Sequence, residues 1–188
     1  MGNLLIIGAG GHGMVVAEAA ELEGRWDSIS FLDDRQDIDR VLDYKIIGTL
    51  NDYEEFIGKY EYVIVAIGNN EKRLQLIEEL KAAGYKIPII IHPRAWVSSY
   101  SNIGEGSVIL AGAVVNTNSN VGKGCIININ SCIDHDSIIE DGVHVCSSAI
   151  VRSMCKIGRL SYIGAGSCVT SGLIIKEKFS LQDGIVAN

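Results

Sequence analysis

Two histidines in the second half of the chain carry residue types suited to moving protons. His135 sits between Asp134 and Asp136, in Asn128-Ile129-Asn130-Ser131-Cys132-Ile133-Asp134-His135-Asp136. An imidazole with a pKa near about 6.5 is a natural general base at neutral pH. A neighbouring carboxylate can fix its tautomer and stabilise the imidazolium that forms. The same residues also describe a solvated corner histidine with two acids for company. His144, nine residues on, reads either as a surface histidine or as a donor to a bound carbonyl. Two histidines at this spacing do not supply the three converging ligands of a zinc site at a subunit seam, so no metal is expected. Cys132 and Cys146 lie near the histidines without a clear base partner, so no covalent thiol intermediate is read from them.

The first half carries a different chemistry. Gly8-Ala9-Gly10-Gly11-His12-Gly13 satisfies G-x-G-x-x-G between an apolar run and an amphipathic stretch. Glycines there allow a tight turn and close approach of backbone to phosphate, and the helix N-terminus adds free N–H groups and a positive dipole end. Asp33-Asp34 follows about twenty residues later, where a dinucleotide fold would hold a ribose. Taken alone the loop reads as a nicotinamide-dinucleotide site. A half-chain of about ninety residues is too short for a full dinucleotide fold, and no dehydrogenase-type substrate domain follows. A mononucleotide or nucleotide-sugar site fits better, with His12 able to bond a phosphate or sugar; the bland alternative is glycines that merely pack strand on helix. Gly68-Asn69-Asn70 points to the same sheet edge, where its asparagines either read a base or sugar hydroxyl or cap the next helix.

Positioning these groups takes two architectures. Residues 1–91 alternate apolar runs with amphipathic stretches, the βαβ pattern of a parallel sheet. Strands are predicted at Leu4–Ile7, Ile29–Leu32, Tyr62–Ile67 and Ile87–Ile91. Helices are predicted at Met14–Leu22 and Glu71–Ala83, with a short one entered through the Thr49/Asp52 capping box. From 92 to 188 the grammar changes. Every sixth residue from Val97 to Ile175 is isoleucine or valine, and a small residue sits two places before nearly all of them, only Val143 and Leu173 departing. A period of six fits neither helix nor flat sheet. It fits a three-cornered coil that returns each branched side chain to the same inner position. Gly106, Gly112, Asn118, Gly124, Asn130, Asp136 and Gly142 fall three residues after such positions and tolerate the positive φ of tight corners.

Bulk properties narrow the classes. The chain has 188 residues, 47% apolar and 21% charged, which favours neither disorder nor a membrane protein. The net charge of −7 lies wholly in the first half: nine basic and sixteen acidic residues up to Ile90, seven of each after it. Nucleic-acid binding is not expected from that balance. Five cysteines without a secretion signal suit a reducing cytoplasm.

In order and spacing, these segments resemble a family. The glycine loop, Phe31-Leu32-Asp33-Asp34, Ala66-Ile67-Gly68-Asn69-Asn70, Ile91-His92-Pro93, and His135-Asp136 with His144 nine later are similar to the hexapeptide-repeat sugar acetyltransferases. These join a small Rossmann-like βαβ domain to a left-handed parallel β-helix, as in the PglD-like bacillosamine-pathway UDP-4-amino-sugar N-acetyltransferases and the NeuD-like sialic acid O-acetyltransferases. The resemblance covers nearly the whole chain. It implies an acetyl-CoA-dependent transfer to a nucleotide-linked 4-amino sugar in bacterial surface-glycan biosynthesis, with O-acetylation of sialic acid as the alternative and a small NAD-binding oxidoreductase as a remoter one. It implies His135 as base and Asp136 as its orienting group. His144, Ser153 and Ala165 would face acetyl-CoA. Gly10, Gly11, His12, Asp33, Asp34, Gly68 and Asn69 would cradle the acceptor. It also implies a homotrimer with sites between neighbouring coils. The chain departs from the family after His144, where Cys146-Ser147-Ser148-Ala149-Ile150-Val151-Arg152-Ser153 replaces the usual proline or glycine pair and later glycine. It also departs in its Arg152, Lys156 and Arg159 cluster, and in ending at Asn188 without the usual Gly-Val-Pro-Ala-type terminus.

Overall fold

The computed structural model describes residues 2–35 and 37–188. The first half runs β1 (Gly2–Ile7), α1 (Gly11–Glu23), β2 (Trp26–Leu32), a hairpin of β3 (Arg40–Val41) and β4 (Tyr44–Lys45), a 3-10 turn (Leu50–Phe56), β5 (Tyr62–Val65) and α2 (Asn70–Ala82). Strands β2-β1-β5 form a parallel sheet. Its runs Leu4–Ile7 and Val63–Val65 are buried throughout, as strands covered on both faces require. The expected start at Thr49 holds: its N–H and hydroxyl donate to the Asp52 carboxylate at 2.7 and 2.9 Å.

Ile87–Ile91, predicted as the last strand of this sheet, does not belong to it. The sheet ends at a bridge between Tyr62 and Lys86. Pro88 has no N–H to continue the ladder, and Ile90–Ile91 pairs instead with Val108–Ile109. The segment is the first rung of the second half.

From Ile90 the chain winds as a parallel β-helix with eighteen residues per coil, seen in the register Val108↔Ile126↔His144. Three ladders of two-residue rungs make three faces. The first face runs from Ile90–Ile91 through His144–Val145 to Ser180–Leu181. The second runs from Trp96–Val97 through Cys132–Ile133 and Ile150–Val151 to Val186–Ala187. The third runs from Asn102–Ile103 through Ile138–Ile139 to Ile174–Ile175. The six-spaced residues point inward and form one core. Small residues are needed at the corners before them because the coil closes there. Their buried hydroxyls are paired, as when Ser107 donates to Gly122 O and Ser119 to Asp134 O, both at 2.7 Å. Cys125 and Cys155 fill the same position fully buried. Fourteen corner residues, every sixth from Gly106 to Gly184, hold φ between +55° and +78°.

The two halves share an extensive interface. Val108, Leu110 and Ile126 of the first face join the core of β1 and α1, while α2 lies along the corner leading into that face. A Cβ at Gly124 would stand 2.7 Å from Leu74 and 2.8 Å from Ile77, so this corner needs glycine for close approach as well as for its positive φ.

Candidate active site

His135 stands on the corner between the second and third faces, stacked between Thr117 and Ser153 of adjoining coils: Asp136 N–H donates to Thr117 O and Met154 N–H to His135 O, both at 3.1 Å. Its Nδ1 lies 2.7 Å from Asp136 Oδ2, and both side chains are about half exposed, at 49% and 47%. An ionised carboxylate only accepts, so in the neutral ring Nδ1 carries the proton and Nε2 presents a lone pair outward. The Asp136 hydrogen bond, against a small opposing desolvation, raises the His135 pKa above its usual value. Asp134 fixes the backbone beneath: its Oδ1 accepts the His135 N–H at 2.8 Å.

His144 lies on the first face, where Tyr162 packs edge-on at 5.3 Å between ring centroids. Asn128 Oδ1 accepts the Ile129 N–H at 2.8 Å, which turns the Asn128 amide NH2 toward His144 Nε2 at 3.3 Å. Nε2 is then an acceptor and Nδ1–H the available donor. Burial, then Arg73, then His12 lower the His144 pKa to about 3. His12 is pushed to about 4 by burial and then Arg73, and its Nε2 is buried with no hydrogen-bond partner.

Arg73, overlooked in the sequence, links these groups. It is buried to 1% exposure and gives all five N–H groups to neutral acceptors. Nε donates to Gly124 O at 2.7 Å, Nη1 to Ile67 O and Gly68 O, and Nη2 to Asn70 Oδ1 and Gly142 O. Burial lowers its pKa only to about 10, so it stays cationic. The signal was present: Arg73, Ile77 and Leu80 share one helical stripe. Asn116, Asn118, Asn128 and Tyr162 were also missed. Asn116, Asn118 and Tyr162 lie one eighteen-residue coil from Asp134, Asp136 and His144, and Asn128 lies sixteen residues before His144.

At the glycine loop, Gly10 is the N-cap of α1 and Gly11 its first residue. A Cβ on either meets nothing within 4 Å, and both residues are exposed, so the entrance to α1 is open. Gly13 by contrast packs: its Cβ would fall 2.1 Å from Gly8 O. Asp33 Oδ2 accepts the Ala9 N–H at 2.6 Å and Oδ1 the Arg35 side chain at 2.7 Å. Asp34 accepts the Leu50 N–H, and Asn69 caps α2 by accepting the Lys72 N–H, both at 2.9 Å. Gly68 and Asn69 line a pocket of about 300 Å³ with Asn70, Glu71, Leu160, Tyr162, Lys178, Phe179 and Ser180.

The predicted residues therefore fall into separate groups within one chain. His12 and His144 converge with Arg73 beside the first face, and the Gly68–Asn69 pocket reaches Tyr162 on the same face. His135, Asp136 and Ser153 occupy the opposite corner. Ala165 sits on the corner between the first and second faces, where its N–H donates to Asp183 Oδ1 at 2.8 Å. Ser153 Oγ donates to Ser171 at 3.2 Å. Of the basic residues Arg152, Lys156 and Arg159, two meet at one carboxylate: Lys156 pairs with Glu140 at 2.9 Å, and the Arg159 N–H donates to the same group. Among the described residues no His, Cys, Asp or Glu group is arranged to hold a metal, and no helix is long and apolar enough to cross a membrane.

Comparison with known proteins agrees with this architecture. Residues 3–80 match the PglD N-terminal domain. The acetyltransferase domain of PglB from Neisseria gonorrhoeae FA1090 superposes with a TM-score of 0.97 at 38% identity, covering 100% of this chain and 92% of that one. The same domain in complex with acetyl coenzyme A gives 0.94 at 38% identity, over 97% and 88%. A mutant of perosamine N-acetyltransferase from Caulobacter crescentus, in complex with CoA and GDP-perosamine, gives 0.94 at 28% identity, over 100% and 89%. The GDP-perosamine N-acetyltransferase of Escherichia coli O157:H7 is 27% identical over 89% of this chain and 78% of its own length. With a two-part fold matched end to end at 38% identity, the chain belongs to the PglD-like family of sugar acetyltransferases.

Proposed function

We propose that the protein moves an acetyl group from acetyl-CoA to the amino group of a nucleotide-linked amino sugar, with His135 as general base. The observation that carries this reading is the 2.7 Å contact of His135 Nδ1 with Asp136, which leaves Nε2 as an outward lone pair. A neutral acceptor amine attacks the thioester carbonyl while Nε2 takes its proton. The tetrahedral intermediate collapses with cleavage of the C–S bond, and the imidazolium returns the proton to the leaving thiolate. The Ser153 N–H, without an acceptor among the described residues, is the donor we assign to the developing oxyanion. His144 Nδ1–H is a second donor toward acetyl-CoA. The relatives solved with acetyl coenzyme A and with GDP-perosamine support both substrates.

Residues 1–91 serve the nucleotide, through Gly10, Gly11, His12, Asp33, Asp34, Gly68 and Asn69, and residues 92–188 serve acyl transfer. Because His135 and the glycine loop lie on opposite sides of one coil, a second copy must bring them together. The second face supports a homotrimer. Its outward residues Trp96, Val114, Cys132, Ile150, Cys168 and Val186 form an unbroken apolar stripe beside the His135 corner, with Trp96, Ile150 and Val186 at 53%, 43% and 55% exposure. All five cysteines are free, in keeping with a cytoplasmic reaction.

The deciding assay is thiol release from acetyl-CoA against UDP-, GDP-, dTDP- and CMP-linked amino sugars. Release with at least one acceptor, and a loss of about 10²–10⁴-fold in His135→Ala, are expected. Silence across the panel from folded protein, or an unimpaired variant, sinks the reading.

A further inference from the structure

The carboxylate that orients His135 is itself held from the coil below. Asn118 Nδ2 donates to Asp136 Oδ1 at 2.5 Å, leaving Oδ2 for His135 Nδ1 at 2.7 Å. A parallel bond runs one step away, Asn116 Nδ2 to Asp134 Oδ1 at 3.1 Å, and Asp134 Oδ1 also accepts the His135 N–H. Both carboxylates flanking the base are thus pinned by side-chain amides of asparagines eighteen residues earlier; Asp136 meets the His135 ring and Asp134 its backbone N–H. Asn118 and Asp136 are both corner residues with positive φ, at 59° and 58°. Glycine satisfies that conformation at least as well, and corner geometry alone therefore gives no reason for an amide at 118. An exposed carboxylate free to rotate would populate several rotamers, few of which present an oxygen to the imidazole.

We propose that Asn118 is a positioning residue for acyl transfer: it locks Asp136 in the rotamer that holds His135 as the Nδ1–H tautomer. This rests on His135 being the base. The Asn118 bond, followed by that from His135, also holds the Asp136 carboxyl below its ordinary pKa, so the anion persists through the neutral range. The arrangement is a three-member chain, amide to carboxylate to imidazole, in which each partner removes a rotational freedom of the next.

Asn118→Gly removes the amide and keeps the corner unstrained. It should lower kcat about 10-fold while leaving KM for acetyl-CoA and for the acceptor within about twofold, because the residue touches neither in this scheme. In an Asp136→Gly background the same change should cost nothing further, since its route to the base is gone. Unchanged kcat in Asn118→Gly, or losses that multiply in the double variant, overturn the proposal. A second readout does not need turnover: 15N NMR of the His135 ring should report a dominant Nδ1–H tautomer in the wild type and a mixture in Asn118→Gly. Identical ring spectra overturn the proposal even if kcat falls. If the wild type transfers no acetyl group to any acceptor but the tautomer still shifts, the positioning role stands and the acetyltransferase reading is what fails.

Discussion

Arg73 Nη2 donates to the carbonyl oxygen of Gly142 at 3.0 Å, two residues ahead of His144. One buried guanidinium therefore fixes how the N-terminal half sits on the coil and sets the field around the first-face histidine. Its partners are four carbonyls and one amide oxygen from both halves, none of them a carboxylate. None of these five partners carries a formal charge, and stability comes from the fork of five donors meeting five acceptors.

Arg73→Met should destabilise the protein by about 3 kcal/mol, because the acceptors it leaves are buried without donors. Arg73→Lys should recover only part, since an ammonium has three donors and cannot reproduce the fork. Urea unfolding of the three proteins measures this. A methionine variant as stable as the wild type would mean that water or a shift of α2 replaces every bond.

Acid should destabilise the protein through His12 and His144. Both have folded-state pKa values below the unfolded value, at about 4 and about 3. Between about pH 6.5 and 4 the unfolded chain binds protons at these rings while the folded chain does not, so stability rises with pH across that window. Each ring contributes about 1.4 kcal/mol per pH unit there. His144→Asn should remove about half of the slope attributable to the pair. Denaturation midpoints taken at half-unit intervals from pH 4 to 7 give the answer, and equal slopes in the two proteins would refute it.

The pH dependence of turnover should report a different histidine. His135 has a raised pKa, and as a base it works only when neutral, so kcat/KM should fall on the acid side with a midpoint above about 6.5. Asp136→Asn removes the charge that raises it, and should move the midpoint down while lowering the plateau. A midpoint that stays put in the variant would show that some other group is titrating.

Much of this was legible because a solenoid writes its architecture locally. The inward series from Val97 to Ile175 and the corner residues repeat at a spacing that needs no knowledge of distant contacts. His135 beside Asp136 was readable for the same reason, since the pair are chain neighbours. Contacts across the coil were not. Asn118 is eighteen residues from Asp136, and only the register makes it a neighbour. The fate of Ile87–Ile91 depended on which ladder captured its N–H groups: Ile90 donates to Ser107 O at 3.1 Å and His92 to Ile109 O at 2.9 Å. Periodicity gives a strand there but not its partner. Arg73 carried a trace, a cation on an apolar stripe, yet two of its acceptors, Gly124 O and Gly142 O, lie at corners 51 and 69 residues away. The separation of His135 from the glycine loop is likewise a three-dimensional fact, invisible in any motif.

That separation leads to the last prediction. If the acceptor binds at the glycine loop of one protomer and the base comes from another, two variants damaged at different places should repair each other. Gly11→Asp fills the open space over the α1 N-terminus with a carboxylate that repels an anionic nucleotide. His135→Ala removes the base. Each alone should be inactive, and co-refolded mixtures should regain a substantial fraction of wild-type turnover, because some interfaces then pair an intact loop with an intact histidine. The apolar stripe supplies the control. Ile150→Glu places a charge in the middle of the face proposed to pair, at a desolvation cost that disfavours association, and should convert a trimer to folded monomers in sedimentation while abolishing turnover. Mixtures that stay inactive, or an Ile150→Glu monomer that still turns over, would place the whole site within a single chain.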